Sequence, residues 1–334
     1  MEYRDKNPGE MDLSHLDSME LLKKGLRYDS LPAARQELTF QMLESELKAK
    51  LSIQNPNAGI LQTLGLLNRE FGYTNAAELL SEENHFPGIE MVRYGKDGEI
   101  LSRIIIENGS VLTVFQEAET VFEMFFCSEI INGITREEDC RIPRKAFREA
   151  LANALIHRDW SHKDCRILIR MDDESVTVST PYPLLHGITP EKYMQDPPFV
   201  PVNHDLGYIL LRLGYAAKLG SGVRQIVSAY QGKERRPEFS FSENEIMVTL
   251  PVLSPVKINA QQQTMLNSMS WHILFSRKYL EEKTGFSRSK TARLIRELMD
   301  LNLVEKYGSG PSARYKRNTQ PAIVRRTDPA EPAF

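Results

Sequence analysis

The stretch that decides the fold reads Arg148-Glu149-Ala150-Leu151-Ala152-Asn153-Ala154-Leu155-Ile156-His157-Arg158-Asp159. Its polar residues between 149 and 157 recur at every fourth position, which places Glu149, Asn153 and His157 on one helix face. Alanine, leucine and isoleucine fill the other faces, so we expect this helix in a domain core. An unsatisfied buried polar group costs about 1–3 kcal/mol, so these side chains need partners. The partners are either a ligand with a metal ion, or backbone groups and water.

A short glycine-rich turn lies later in the chain, at Gly220-Ser221-Gly222, and an apolar-periodic segment follows it. This pattern predicts a helix N-terminus, where unpaired N–H groups and the helix dipole favour an anion such as phosphate. The turn alone is weak support, because most Gly-Ser-Gly sequences are ordinary turns or caps.

Together the two segments resemble the GHKL nucleotide-binding fold of gyrase-type topoisomerases, Hsp90-type chaperones and histidine kinases. The closer resemblance is to the RecG-like C-terminal ATP-binding domain of bacterial transcriptional regulators, which often carry a Schlafen/AlbA-type domain upstream. It spans about residues 61–251 and depends chiefly on Pro143 to Trp160, with support from Tyr73-Thr74-Asn75-Ala76-Ala77 and Leu211-Arg212-Leu213-Gly214-Tyr215. The upstream Schlafen/AlbA-type domain is not recognisable in this sequence.

The resemblance implies a role for each matching position. Glu149 matches the general base for the water that attacks the γ-phosphate of ATP, and Asn153 matches the ligand of Mg²⁺ one helical turn later. ATP and Mg²⁺ are therefore the expected cofactors. The cofactor-binding residues that it implies are Asn153, Thr180, Asn203, Gly220, Ser221 and Gly222.

The sequence departs from the family pattern at three places. Thr180-Pro181-Tyr182 replaces an Asn-Pro-Gly that helps to shape the adenine pocket, and Val202-Asn203-His204 replaces an Arg-Asn-Pro. Ala217 replaces an acidic residue near the glycine-rich turn. Loss of the arginine and of the pocket glycine disfavours efficient ATP turnover, so nucleotide binding and a weak ATPase activity both stay open.

The sequence shows no pattern typical of a zinc site. His157, Arg158 and Asp159 are interpreted as residues that brace the helix end, because no second His or Cys pair lies at a zinc-like spacing. Cys127, Cys140 and Cys165 are odd in number and follow no pattern. We predict that all three are reduced core thiols.

The C-terminal part of the chain is basic. Eleven basic and five acidic side chains between 276 and 318 give that segment a formal charge of +6, whereas the whole chain carries -3. Such asymmetry is typical of a module that faces nucleic acid, joined to an acidic body.

The order of elements in this basic segment predicts a winged helix. A helix near 278–283 leads through Thr284-Gly285-Phe286-Ser287 to a second helix near 288–301, then a strand near 303–307 and a wing at 308–312. A protein-binding winged helix and a merely solvated basic face are the alternatives. The predicted DNA contacts are Arg288, Ser289, Lys290 and Arg293 on the second helix, and Lys306, Arg314, Lys316 and Arg317 around the wing.

The predicted class is α+β: a GHKL-like α/β sandwich, in which helices cover a mixed sheet, followed by a winged helix-turn-helix domain. We divide the chain into an N-terminal helical segment (1–60), a GHKL-like nucleotide-binding domain (61–255), a winged helix (256–318) and a disordered tail (319–334). A helix is expected from Gly59 to Glu70, and a proline-rich loop or lid from Thr180 to Asp205. The expected strands are Ile89 to Tyr94, Ile100 to Glu107, Arg166 to Met171, Ser175 to Thr180, Glu238 to Ser242 and Ile246 to Leu250.

Composition limits the classes of function. The chain has 334 residues, is 41% hydrophobic, and contains no run of about 18 uncharged apolar residues, so we expect no membrane span. Its first thirty residues lack an apolar signal core, which favours the cytoplasm. No P-loop ending in Gly-Lys-Ser/Thr occurs, so a helicase function would lack its motor.

The hypothesis from the sequence is a transcriptional regulator that binds double-stranded DNA through its winged helix and responds to ATP through its GHKL-like domain. We expect a homodimer, because DNA readers of this size usually pair half-sites. One alternative is an ATP-hydrolysing enzyme that acts on DNA. The other is a degenerate, nucleotide-free scaffold that serves for dimerisation.

Overall fold

The computed structural model describes residues 27–107, 109–132, 135–181, 203–217, 220–242, 244–253, 256–269, 273–301, 303–310, 313–317 and 324–326. Most of the expected loop between Thr180 and Asp205 lies outside these residues, and so do Tyr182 and Val202. The chain divides into two compact units. The first comprises residues 1–122, 143–229 and 237–251, and the second comprises 123–142, 230–236 and 252–334.

The first unit is built on a mixed six-stranded sheet with the order β4-β3-β7-β8-β10-β9. The sheet confirms an α+β architecture, and its strands match the expected ones to within about two residues. Neighbouring strands are antiparallel except β3 and β7, which run parallel. The strands are β3 (Ile89–Tyr94), β4 (Ile100–Ile106), β7 (Ile167–Met171), β8 (Ser175–Pro181), β9 (Glu238–Phe241) and β10 (Glu245–Pro251).

Helix α5 (Arg144–His157) is the central helix of this unit and packs against β8 and β10. Phe147, Leu151 and Leu155 are at most 1% exposed, as the apolar pattern of the sequence predicts. The ring of Phe147 stacks on that of Phe122 in α4 (Val111–Phe126), with 4.1 Å between the centroids. Helix α7 (Gly222–Ala229) packs beside α5.

An N-terminal region leads into this unit. It contains a short 3-10 helix (Tyr28–Ser30), α1 (Gln41–Leu51), α2 (Ala58–Thr63), a hairpin of β1 (Leu67–Asn68) and β2 (Gly72–Tyr73), and α3 (Asn75–Leu80). The prediction of one helix from Gly59 to Glu70 is wrong. Gly65 adopts a φ of 74°, a left-handed conformation that ends the helical segment before β1.

Asp29 ties the N-terminal region to α6 (His204–Arg212). Its side chain is fully buried, and Oδ2 accepts hydrogen bonds from the N–H groups of Asp205 (2.7 Å) and Leu206 (3.3 Å). A carboxylate at this place satisfies N–H groups that the first helical turn leaves unpaired. Burial and the nearby Asp205 carboxylate raise the pKa of Asp29 to about 6.

Among the described residues, the second unit includes the helices and the three-stranded sheet (order β12-β14-β13) that follow. Its helices are α8 (Ala260–Asn267), α9 (Arg277–Thr284) and α10 (Arg288–Asp300), and its strands are β12 (Phe275–Ser276), β13 (Val304–Tyr307) and β14 (Arg314–Arg317). Leu266, Leu280, Leu294 and Leu298 form its core. Gly285, with a φ of 70°, ends α9, and the Ser287 side chain caps α10 by accepting from the N–H of Lys290.

Two small sheets complete the second unit. Strand β11 (Val256–Ile258) pairs in parallel with β15 (Val324–Arg326), so part of the tail that we expected to be disordered forms a strand. Strands β5 (Cys127–Asn132) and β6 (Thr135–Cys140) form an antiparallel hairpin. No helix among the residues that the structure describes is long and apolar enough to cross a membrane.

The cysteine prediction needs a correction. Cys127 and Cys140 are joined by a disulfide bond across the hairpin, so the prediction of reduced core thiols is wrong for both. Thirteen positions separate them in sequence, and they become neighbours only when β5 and β6 pair. Cys165 is free and half-buried.

Candidate functional site

Glu149 lies on α5 and faces the segment before the glycine-rich turn. Its side chain is 5% exposed, and Oε1 accepts a hydrogen bond of 2.9 Å from the N–H of Ala217. Burial raises the pKa of this carboxyl, while the Ala217 N–H and the cations Lys145 and Arg148 lower it. A carboxylate that is only partly desolvated and held by one main-chain donor is suited to accept a proton.

Asn153 lies one helical turn further along α5, directly against the start of α7. A Cβ atom built on Gly222 would overlap the side-chain amide of Asn153, so any larger residue at this position would require the Asn153 side chain to move. Gly220 adopts a φ of 73°, and the Gln225 N–H already bonds to the Ser221 carbonyl oxygen (2.9 Å). The first N–H groups of α7 therefore lie beside an amide side chain, which is an arrangement suited to an anion with its counter-cation.

The structure thus brings Glu149, Asn153 and the glycine-rich turn together. Ala217 contacts Glu149, and Gly222 lies against the side chain of Asn153. Thr180 is 5% exposed near the end of β8, the strand against which α5 packs. It lies on the same sheet face as the buried Val176 and Val178.

Asn203 has a structural role that we did not predict from the sequence. It is fully buried, and its Nδ2 donates to the carbonyl oxygens of Ile156 (2.8 Å) and Arg158 (2.9 Å). These bonds join the start of α6 to the end of α5 and satisfy carbonyl groups of the last helical turn. Its Oδ1 is buried and accepts no hydrogen bond within the described ranges, which leaves one acceptor for a ligand or a water molecule.

The side chains of Arg158 and Asp159 hold the loop that follows α5 rather than the helix end that the sequence predicted. Carbonyl groups of the last helical turn are met instead by Asn203 and by the indole N–H of Trp160. Arg158 is fully buried and donates to the carbonyl oxygens of His162 (3.0 Å) and Cys165 (2.9 Å). Its guanidinium lies 4.4 Å from the centre of the Trp160 ring, and burial lowers its pKa to about 10. Burial also lowers the pKa of His157 to about 4, so this imidazole is neutral at pH 7.

Arg148 holds the loop that carries Ala217. Its guanidinium donates to the carbonyl oxygen of Gly214 (3.2 Å) and forms an ion pair with Glu119 on α4. Arg144 contacts the same Glu119 carboxylate at 3.0 Å. Sequence reasoning assigned no role to Arg148, although it directly precedes Glu149.

Tyr215 anchors the same loop from the other side. Its ring packs edge-on against Phe115 (4.9 Å between centroids), and the ammonium of Lys50 lies 4.0 Å from the ring centre. The side-chain amide of Gln116 donates to the Tyr215 hydroxyl at 2.5 Å. The motif that contains Tyr215 was visible in the sequence, but its place beside the Glu149 loop depends on contacts between distant segments.

The predicted DNA-contacting residues lie in the second unit. Arg288, Ser289 and Arg293 are exposed on α10, and the ammonium of the half-buried Lys290 lies 4.1 Å from the centre of the Phe286 ring. Thr291, Leu294, Ile295 and Leu298 form the buried face of the helix.

The β13–β14 hairpin carries the other predicted contacts. Lys306 and Arg314 are exposed, whereas Lys316 and Arg317 are half-buried. Lys316 pairs in register with Glu305, which partly balances its charge. The hairpin therefore presents fewer free cations than the sequence count suggests.

Metal binding by side chains alone has no support in the ranges that the structure covers. No group of three His, Cys, Asp or Glu side chains there could hold a metal ion. Magnesium commonly binds through only one or two protein oxygens, together with water and phosphate oxygens. Glu149, Asn153 and the α7 N-terminus fit such a shared site.

A comparison with protein families finds a match within the first unit. Residues 164–250 match the family model described as "Putative ATP-dependent DNA helicase recG C-terminal". The matched region contains Thr180, Asn203 and the glycine-rich turn, and α5 precedes it. No curated protein matches the chain.

Several solved chains match this one, and one of them illustrates the shared fold. The crystal structure of the DIP2311 protein from Corynebacterium diphtheriae is 17% identical and covers 91% of this chain and 68% of its own, with a TM-score of 0.58. At this identity the match supports the architecture and carries no information on function. The comparisons therefore show that part of the first unit is similar to a RecG C-terminal domain of ATPase type.

Proposed function

We propose that this protein is a transcriptional regulator that binds double-stranded DNA through its second unit and ATP with Mg²⁺ through its first. The observation that carries the proposal is the close approach of Gly222 to Asn153, one helical turn from the buried Glu149. The similarity of residues 164–250 to an ATPase-type domain supports the same ligand.

The residues of the first unit fit this ligand. The Asn153 amide oxygen would hold Mg²⁺, and the main-chain N–H groups of Gly220, Ser221 and Gly222 would bind phosphate oxygens. Thr180, near the end of β8, would line the pocket for the base. Bound Mg²⁺ would supply charge neutralisation for the phosphates.

Hydrolysis is expected to be slow in this arrangement. Glu149 would act as the general base, and its raised pKa favours proton uptake. One of its oxygens is already occupied by the Ala217 N–H, at a position where the resembled family carries an acidic residue. We therefore propose that ATP serves mainly as a regulatory ligand.

The second unit would bind DNA as a winged helix. Helices α9 and α10 are joined by the short turn at Gly285-Phe286-Ser287, and the β13–β14 hairpin follows. Arg288, Ser289, Lys290 and Arg293 on α10 would enter the major groove. Lys306, Arg314, Lys316 and Arg317 would contact phosphates and position the helix. We further propose a cytoplasmic homodimer that pairs two half-sites.

An ATP-hydrolysing enzyme that acts on DNA is the second candidate, favoured by the raised pKa of Glu149. It predicts magnesium-dependent turnover that stops in Glu149→Gln. The regulator predicts DNA affinity that responds to nucleotide even when turnover is negligible.

Fluorescence anisotropy with a labelled mixed-sequence duplex tests the proposal. We expect ATP with Mg²⁺ to change the Kd of the wild-type protein for DNA, and to leave that of Asn153→Ala unchanged. Arg293→Ala should weaken DNA binding while its response to nucleotide persists. A Kd that is the same with and without nucleotide in the wild type would refute the coupling, and absence of DNA binding would refute the regulator.

A further inference from the structure

The β5–β6 hairpin has a cystine at its base. Cys127 directly follows the last residue of α4, Phe126, and pairs with Cys140, the last residue of β6. The two half-buried residues form the end pair of the ladder and are joined by the disulfide bond. Neither the proposed nucleotide site nor the proposed DNA contacts use them.

Contacts beside the cystine hold the two strand ends together independently of the sulfur–sulfur bond. The Arg141 N–H donates to the carbonyl oxygen of Phe126 (2.8 Å), and its guanidinium donates to the carbonyl oxygen of Phe125 (3.0 Å). The guanidinium also lies 5.4 Å from the centre of the Phe126 ring. The two thiols released by reduction would therefore stay adjacent, and the disulfide could form again without a large conformational change.

The disulfide bond adds a covalent constraint to a hairpin of only two strands. Strands β5 and β6 form a two-stranded sheet that pairs with no further strand among the described residues. An isolated two-stranded hairpin is marginally stable in water, so a covalent link at its base removes much of its freedom to open. Reduction should leave the base in place and loosen the ladder beyond it.

We propose that Cys127 and Cys140 form a reversible thiol–disulfide exchange site that sets the order of the β5–β6 hairpin. Its partners are low-molecular-weight disulfides and thiols of the glutathione type. In the oxidising direction, one protein thiolate attacks the small disulfide, forms a mixed disulfide and releases one small thiol. The second protein thiolate then attacks the mixed disulfide, forms the Cys127–Cys140 bond and releases the second small thiol. Two electrons pass from the protein thiols to the small disulfide, and the two thiol protons end on the released small thiols.

The site can be tested on the full chain without ATP or DNA, so its outcome is separate from that of the proposed function. The protein is equilibrated in buffers with fixed ratios of reduced to oxidised glutathione, quenched in acid, denatured and alkylated, and its mass is measured. We expect one two-electron transition, in which Cys127 and Cys140 become protected together while Cys165 stays alkylated. Independent modification of the two residues would overturn the proposal, and so would a bond that excess dithiol does not reduce in the folded protein.

Three variants sharpen the result. Cys165→Ser should keep the transition, whereas Cys140→Ser should stop at a mixed disulfide with glutathione on Cys127. Hydrogen exchange of peptides from 127–140 should be faster in the reduced wild type than in the oxidised one, and independent of the buffer in the double variant Cys127→Ser/Cys140→Ser, which can form neither the bond nor a mixed disulfide at the hairpin. Equal exchange in both wild-type states would overturn the effect on hairpin order.

Discussion

The two units carry their polar side chains in opposite ways. In the first unit, Glu149 and Asn153 project from a helix that is apolar nearly all round, and each is met by main chain of one short segment. In the second unit, Arg288 and Arg293 lie on the exposed face of an amphipathic helix whose other face forms the core. A buried site depends on the fit of single atoms, whereas an exposed basic face depends mainly on its total charge. The two should therefore respond differently to substitution.

The largest expected difference concerns packing around α5. Leu151 is fully buried, so Leu151→Ala should lower the free energy of unfolding by about 2–5 kcal/mol. Arg293 is largely exposed, and its ion pair with Glu297 lies at the surface, so Arg293→Ala should change the free energy of unfolding by less than about 0.5 kcal/mol. Urea unfolding of both variants measures the contrast. Equal losses would show that α10 contributes to the core as much as α5.

We also expect a residue of the first unit, Asp29, to make the free energy of unfolding depend on pH. The folded-state pKa of Asp29, about 6, lies above its ordinary value of 3.8, so the folded protein holds this proton more tightly than the unfolded chain. The contribution of Asp29 is therefore greatest below its ordinary pKa and is lost as the pH rises through about 6, by roughly 2–3 kcal/mol in total.

Urea unfolding between pH 4 and pH 7 measures this dependence. Asp29→Asn keeps a side-chain acceptor for the Asp205 N–H but cannot ionise, so its stability relative to the wild type should rise as the pH rises through about 6. The buried His157, whose pKa is lowered to about 4, contributes in the opposite direction but equally in both proteins. Glu281→Gln on the surface of α9 serves as the control. If the profile of Asp29→Asn keeps the slope of the wild type, Asp29 is not the group responsible.

A single methyl group added at Gly222 should lower both the stability of the protein and its affinity for ATP. Gly222→Ala places a Cβ against the Asn153 amide, and such overpacking costs about 1–3 kcal/mol of stability. ATP affinity should fall at the same time, because Asn153 and the first turn of α7 must move apart. Isothermal titration calorimetry measures the affinity, with Gly109→Ala as a control whose Cβ would lie an ordinary 4.0 Å from its nearest neighbour, the Thr113 Cβ. Full ATP affinity in Gly222→Ala would show that the proposed nucleotide site does not depend on the contact between Gly222 and Asn153.

The smallest effect on stability is expected for substitutions on the β13–β14 hairpin of the second unit. Replacing Arg314, Lys316 and Arg317 by alanine should change stability little and weaken binding to all DNA sequences alike. The salt slope of log Kd should fall by roughly one for each lost phosphate contact. The half-buried Lys316 and Arg317 should contribute less than Arg314. A salt slope equal to that of the wild type would show that the β13–β14 hairpin does not contact DNA.

The parts of the fold that the sequence predicts are those with local patterns. The four-residue period of polar groups placed Glu149 and Asn153 on one buried helix, and the alternation of residues such as Val176 and Val178 placed the strands. Capping residues such as Ser287 marked the start of α10 correctly.

The parts that the sequence did not predict depend on contacts between distant segments. The amide of Asn203 caps α5 from a position 47 residues beyond Ile156, and the Tyr215 ring meets Lys50 across the first unit. Cys127 and Cys140 become neighbours only through hairpin pairing. Local periodicity carries no information on such pairs.

We propose that Asn153 and the glycine-rich turn form a working nucleotide site. Thermal unfolding of the protein with and without ATP and Mg²⁺ is the best test of this proposal. Ligand at about 100 times its Kd adds about 2.7 kcal/mol to the free energy of unfolding. We predict a corresponding rise in Tm for the wild type and for Arg293→Ala, and none for Asn153→Ala. An unchanged Tm in the wild type, or an equal rise in Asn153→Ala, would contradict the account.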